Sequence, residues 1–408
     1  MGDEWPHVVI LGAGFAGVGA LQGLRRAPVR VTVVDRSEHH VFLPLLYQVA
    51  THQLGPEHVS SAVEGHLPDR DSFEFIQGEV EGVDLDARRV FIAGSQPLAY
   101  DYLLVALGAN VNFFGTTGAK EHALPLYTLE DAARLRQRIA SYLGADQGHL
   151  HRGEDAIARF CVVGGGATGV EVAGAIAELI RGDLRSPEGV QTVMPAEVHL
   201  FEMEPELLTS FQPELRSYAR SALEDRGVQV HLNEAVSEVE QVRVRLRSGE
   251  TLSSRAVIWA AGLQANPVAQ SLGTAVDRRI ETEPDLSIAR HPEVFVAGDM
   301  AHIHGSDSED ALPQLGSVAQ QSGRTAGENI GRLAAKRKTR PFEYKDKGTM
   351  AIIGRGDALV QLSSGRTLTG KPAFVAWKGV HLMLLKGGEQ KASTLIEWAK
   401  SYAPRRSA

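Results

Sequence analysis

Short apolar runs recur along this chain, and most of them end in a glycine or an acid. His7–Leu11 (HVVIL) is uninterrupted in the way a strand covered on both faces requires, and a turn with Gly12, Gly14 and Gly17 (GAGFAG) follows it into a helical stretch reaching Arg26. The next run, Arg30–Asp35 (RVTVVD), ends in a carboxylate eighteen residues after Gly17. Strand, glycine turn, helix and acid-ended strand is the order of a dinucleotide-binding unit, and the flanks make this GxGxxG specific where a lone one is not.

The pattern returns in mid-chain. Phe160 to Val163 precede Gly164, Gly166 and Gly169 in GGGATGVEVAG, a helix runs toward Ile180, and Glu197 to Glu202 (EVHLFE) form the next strand. The longer spacing, 33 residues from Gly169 to Glu202, predicts a surface insertion between Arg181 and Pro195, a stretch punctuated by Gly182, Pro187 and Gly189. Two fingerprints predict two dinucleotides. Three more apolar runs meet a glycine: Asp101 to Ala109, Ala256 to Gly262 and Val294 to Asp299 (VFVAGD). The layout predicts an α/β chain with two Rossmann-like dinucleotide-binding domains, in which residues beyond about 265 return to complete the first.

In each fingerprint the first glycine permits the tight turn, the second lets backbone approach a pyrophosphate, and the third lets helix and strand pack closely. The helix N-terminus then offers unpaired N–H groups to the phosphates. Asp35 and Glu202 stand where an adenosine ribose would be met. Glu202 also predicts NADH over NADPH: a carboxylate a few ångströms from a 2′-phosphate opposes it by about several kcal/mol at an effective dielectric of ~20, and the following Met203 and Glu204 supply no compensating arginine. Asp299 follows a strand and suits a cofactor hydroxyl. Glu171, in the first turn of the second helix, is favoured there by the helix dipole alone; the sharper reading is a carboxylate beside the reacting rings that manages protons.

Composition narrows the classes. A chain of 408 residues holds two or three domains with cores of their own. The single cysteine, Cys161, excludes electron relay through a cysteine pair, and its place inside an apolar strand predicts core packing. His39 with His40 and His302 with His304 are too few for a metal site, so none is expected. There is no secretory signal pattern and no run near the ~18 apolar residues of a spanning helix, so the expectation is a protein neither secreted nor integral. Net charge is −8, yet from Lys371 to Ala408 seven basic residues face only Glu389 and Glu397. Leu395, Ile396, Trp398, Ala399 and Tyr402 recur at helical spacing there, with Arg405 and Arg406 behind them. Either the helix docks on the protein's own core or it lies on an anionic membrane.

With these residues in hand, the chain resembles the type II NADH:quinone oxidoreductases, single-subunit FAD enzymes, nearly end to end. The specific segments are DRSEHHVFLPLLYQVAT (35–51), WAAGLQAN (259–266), VFVAGDMAH (294–302), YKDKGTMAIIGR (344–355), and HLMLLKGG and EWAKSY near the end. The resemblance implies a two-dinucleotide-binding-domain flavoprotein with a small C-terminal extension: an FAD-binding domain at 1–115 and 265–340, an NADH-binding domain at 116–264, and a quinone- and membrane-proximal segment at 341–408. Gly12, Gly14, Gly17, Asp35, Gly108 and Asp299 would serve FAD, and Gly164, Gly166, Gly169 and Glu202 would serve NADH. Glu171 would lie near the stacked rings, with Lys347 and Gly348 near the isoalloxazine.

Family members often carry Ala-Gln-x-Ala-x-Gln where quinone meets the flavin. Here the stretch runs Gly316, Ser317, Val318, Ala319, Gln320, Gln321, which keeps the last glutamine and lacks the first. The tail is also less apolar than in membrane-bound members. The expected partners are NADH, a quinone and an anionic membrane surface reached by the basic C-terminal helix, with a homodimer admitted and nucleic acid not expected; the expected location is cytoplasmic, peripheral on the inner face of the cell membrane. The rival readings are a soluble NADH-dependent reductase of another acceptor and a slow-turnover flavin- and NADH-binding interaction protein.

Overall fold

The computed structural model describes residues 5–143, 157–182, 195–273, 275–276, 279–305, 311–386 and 388–401. The predicted insertion at 181–195 and the positions of Tyr402, Arg405 and Arg406 fall largely or wholly outside these. The chain divides into two compact units, one formed by residues 1–40, 61–110 and 263–345 and the other by 41–60, 111–262 and 346–408.

The first unit is built on a six-stranded sheet whose order is Ser287–Ile288, His291–Val296, Tyr102–Val105, His7–Leu11, Arg30–Asp35 and Phe73–Gln77. All neighbours run parallel except the short first strand. Val8 to Leu11, Leu103 to Val105 and Val294 to Val296 are fully buried, as expected of parallel strands covered on both sides. On one face the helices Phe15–Leu24 and Gly316–Ala334 touch at backbone distance. A methyl group at Gly19 or Gly23 would fall on the carbonyl oxygens of Gln320 and Arg324, and one at Gly323 or Gly327 on those of Ala16 and Ala20. Glycines on both helices thus admit an approach that any side chain would block, one residue from each helix at every level.

The second unit repeats the plan with five parallel strands in the order Leu124–Pro125, Ala256–Trp259, Ala158–Val163, Ala196–Glu202 and Val228–Leu232. The C-terminal residues belong to this unit. The antiparallel strands Thr349–Gly354, Asp357–Gln361 and Thr367–Thr369 pack on the helix Ala167–Arg181, and two helices follow, Gly370–Leu384 and Gly388–Ser401. The fastening is ionic as well as apolar. Buried Glu178 pairs with Arg226 at 3.2 Å and accepts the Arg355 N–H, and Arg226 also reaches Asp357 at 3.1 Å, which accepts from the Tyr218 hydroxyl at 2.6 Å. Each carboxylate and the guanidinium is satisfied by several partners, the condition under which buried charge holds a structure together.

The helix contact of the first unit makes a prediction. Gly323→Ala should lower unfolding free energy by about 1–3 kcal/mol, the usual cost of forcing an extra methyl into a closed contact. In the flavin-free protein Gly14→Ala, whose methyl would enter open space, should leave it nearly unchanged. Equal denaturation midpoints for the two variants in chemical unfolding would refute the contact.

Candidate functional site

Both glycine turns are built alike. Gly12 (φ +99°) and Gly164 (φ +108°) adopt a conformation that side chains avoid, and in each case a Cβ would strike the carbonyl of the residue after the neighbouring strand, Ala106 or Ala260. Gly17 and Gly169 pack against the carbonyl oxygens of those first glycines. Gly14 and Gly166, the N-caps of their helices, have nothing within 4 Å where a Cβ would stand. That open space, beside a helix N-terminus, fits the pyrophosphate of a dinucleotide.

The strand-end acids hold the turns from the side. Asp35 accepts the Ala13 N–H at 2.6 Å and the Ser37 N–H at 2.8 Å; Glu202 accepts the Gly165 N–H at 2.5 Å and the Glu204 N–H at 2.9 Å. Each carboxylate oxygen keeps further lone pairs for a ribose hydroxyl. Spacing in the chain did not reveal His40, whose Nδ1 lies 2.9 Å from the Ala13 carbonyl and whose ring meets Phe15 edge-on. A histidine five residues beyond the acid carries no recognisable signal until the strands are paired.

In the first unit the other candidates gather at the carboxyl ends of three adjacent strands, where open α/β sheets place ligands. Gly12 follows His7–Leu11, Gly108 (φ +69°) follows Tyr102–Val105, and Asp299 sits in a turn after His291–Val296. The Gly298 N–H that opens this turn donates to buried Ser322 at 3.1 Å, and Gln314 donates to the Asp299 carbonyl at 2.9 Å. Gln321 lies in the following helix, and its amide is doubly engaged with Lys345: its Nε2 donates to the carbonyl and its Oε1 accepts the N–H, both at 3.1 Å. It therefore fixes main chain, two residues before Lys347.

In the second unit Glu171, Gly174 and Glu178 lie along one face of the fingerprint helix, and all three meet the strand Thr349–Gly354 or the residue after it. Glu171 accepts the Ile352 N–H at 3.2 Å, and Gly174 lets the Ile353 carbonyl touch the helix backbone. Burial pushes the Glu171 carboxyl up to about 8, with the Ile352 bond opposing. Lys347 is exposed, and Gly348 (φ +89°) sits against the Gln361 carbonyl where no side chain fits. Cys161 is fully buried, and burial pushes its thiol up to about 12, so it is a core residue.

Two acid-anchored glycine turns on two parallel sheets define a two-dinucleotide-binding oxidoreductase fold, and residues 6–323 match the pyridine nucleotide-disulphide oxidoreductase family. Relatives narrow this further. The type II NADH:quinone oxidoreductase NdhA of Mycobacterium tuberculosis is 34% identical over 98% of this chain and 87% of its own length. That of Staphylococcus aureus is 31% identical over 91% of this chain and 93% of its own. The chain belongs to the type II NADH:quinone oxidoreductases. The solved structure of NDH2 from Plasmodium falciparum in complex with NADH, at 18% identity, has the same fold, with a TM-score of 0.88 over 97% of this chain and 98% of that one.

Glu171 generates a pH prediction. Its folded-state pKa lies above the ordinary glutamate value of 4.5, so the protonated form carries the favourable state: stability is fully present at low pH and declines as pH rises toward about 8. Glu171→Gln keeps an acceptor for Ile352 and removes the titration. Its stability relative to the parent should therefore rise from about pH 5 to about pH 8, and parallel pH profiles of unfolding midpoint would contradict the burial.

Proposed function

We propose that this chain oxidises NADH and reduces a membrane quinone, with FAD on the turn of the first unit and NADH on that of the second. The observation that carries the reading is the duplicated turn, complete in both copies down to its two N–H-accepting carboxylate oxygens. Bound flavin supplies hydride acceptance and two-electron transfer, so that NADH, a proton and quinone become NAD⁺ and quinol. The chain supplies position. Gly12, Gly14 and Gly17 admit one pyrophosphate and Gly164, Gly166 and Gly169 the other, while Asp35 and Glu202 receive the riboses.

Gly108 and Asp299, at neighbouring strand ends, line the flavin's course, and Glu202 disfavours a 2′-phosphate. Glu171, protonated near neutral pH, holds a proton beside the reacting rings and keeps a negative charge away from the nicotinamide. Gln321 acts through main chain, setting the Tyr344–Lys345 segment that leads to Lys347 and Gly348 at the flavin and quinone side.

No helix among the described residues is long and apolar enough to cross a membrane. The C-terminal pair of helices serves instead as a surface anchor. Trp398 is 2% exposed and donates to Gln48 Oε1 at 2.7 Å, the core-docked alternative for its face of the helix. It shares a helix face with Thr394 and Ser401, whereas Leu395 and Ile396 point outward at 54% exposure each, as do Val375 and Met383 of the preceding helix at 69% and 73%. One face of the helix thus docks on its own unit, and the other leaves Leu395 and Ile396 exposed. Lys371 and Lys400, both exposed, stand one helical turn from Val375 and Ile396, and Lys400 pairs with Glu397 at 2.6 Å. Lys378 sits over the rings of Phe374 and Trp398, and burial, with Arg355 nearby, pushes it down to about 7. Its charge is therefore gained as pH falls through about 7.

Two measurements test this reading. Under anaerobic conditions NADH should bleach the bound flavin and a ubiquinone or menaquinone analogue should restore its colour in the same stopped-flow series; colour that persists in excess NADH, or fails to return with any quinone, refutes the activity. Leu395→Glu with Ile396→Glu should abolish co-sedimentation with phosphatidylglycerol vesicles and leave flavin bleaching by NADH unchanged. Undiminished sedimentation would remove the anchor.

A further inference from the structure

A cleft of about 660 Å³ opens in the first unit beyond the C-terminal ends of the helices Phe15–Leu24 and Gly316–Ala334. Arg26, Arg332, Arg337, Arg340 and Lys345 line it. Its acids are Glu328 and Glu343, and Glu328 is engaged by Arg324 at 3.0 Å. Five cations against two acids is a local excess on a chain whose net charge is −8. Two helix C-termini, worth about half a negative charge each, offset at most one of them.

The array is held in place. Residues 332–340 (RLAAKRKTR) carry five basic side chains and no acid, and the main chain folds back on the helix that precedes it. Lys336 takes the left-handed conformation (φ 55°), its N–H donates to the Leu333 carbonyl at 2.8 Å, and the Arg337 N–H donates to the Arg332 carbonyl at 2.7 Å, a closed helix end. Buried Asn329 then clamps Arg340 from both sides, donating to its carbonyl at 2.8 Å and accepting its N–H at 2.9 Å. Arg332 is tethered through Nε to the Lys338 carbonyl at 2.5 Å. Desolvation, then Arg340 and Arg337, hold the Arg332 guanidinium below the ordinary arginine range. The glycine contacts between the two helices bring Arg26 to the same cleft.

Like charges fixed together cost free energy that an anion recovers, and guanidinium forks match phosphate oxygens in pairs. The volume exceeds what one phosphate needs and lies in the range of small-molecule sites. Among the described residues no aromatic side chain lines the cleft, so none of them would stack on a nucleobase. We propose that this cleft binds an anion carrying two or more phosphate groups through Arg26, Arg332, Arg337 and Arg340. The site is separate from the glycine turn of its own unit, which lies at the opposite end of the helix Phe15–Leu24.

The test uses the flavin-loaded full chain with NAD⁺ saturating, so that the second glycine turn is occupied. Calorimetric titration with inorganic tripolyphosphate should show one saturable site per chain that weakens with added salt. Arg337→Ala with Arg340→Ala, both exposed side chains, should weaken it about tenfold or more, with melting temperature and bleaching by NADH unchanged. A parallel arm measures sedimentation with phosphatidylcholine vesicles with and without cardiolipin, a lipid with two phosphates. A variant-sensitive loss with tripolyphosphate supports the site with a soluble ligand; the same loss seen only with cardiolipin supports it with a lipid headgroup. Absence of saturable binding in both arms, or equal binding by parent and variant, overturns it. Flavin bleaching by NADH is independent of every one of these results.

Discussion

A carboxylate at the end of a parallel strand, accepting the N–H of the residue that follows the first glycine, is the contact on which both halves of this enzyme are organised. The bond joins a side chain to the backbone of a turn whose first residue is a glycine at positive φ, so it selects one conformation from the many that glycine can adopt. With the turn held, the third glycine can seat the helix against the first, and the second faces space that only a ligand fills. Removing the charge would weaken both accepted N–H bonds and loosen the turn. That both units keep the same pair of accepted N–H groups, despite different acids at these positions, shows that the geometry makes the demand and that either carboxylate length meets it.

The C-terminal residues illustrate a different kind of constraint. The Glu178, Arg226 and Asp357 network and the close pass of the Ile353 carbonyl over Gly174 commit the strands from Thr349 onward to the second dinucleotide unit. Glu171 is on the same helix face, so the segment that fixes the tail also buries this carboxyl and raises its pKa. Stability and pKa are set by one packing contact. The two terminal helices then divide their surfaces between their own unit and the outside, burying Trp377 and Trp398 and leaving Val375, Met383, Leu395 and Ile396 exposed.

The Arg-lined cleft has no counterpart in that scheme. Its cations come from two helix ends and the loop after the second, and the loop is held by Asn329 and a closed helix terminus. A solvated basic loop would need neither fastening.

Much of the fold was legible in the residues alone, because dinucleotide turns demand glycine at positions with no substitute and an acid at a strand end, and because buried parallel strands read as unbroken apolar runs. The two glycine turns, the parallel strands beside them and the family follow from that local necessity, whereas the placing of residues 41–60 and 346–408 in the second unit does not. Other features depended on which segments meet. His40 on the Ala13 carbonyl, Gln321 clamped to Lys345, Glu171 under Ile352 and the inward turn of Trp398 each join residues far apart in sequence or choose between two faces of one helix. Periodicity shows that a helix has an apolar face, but only neighbouring elements decide which side chains it spends on the core. Glycine spacing and strand-end acids were therefore determined by the chain itself, while the protonation of Glu171, the division of the tail and the gathering of five cations were decided by tertiary packing, since burial and charge proximity exist only after distant segments are brought together.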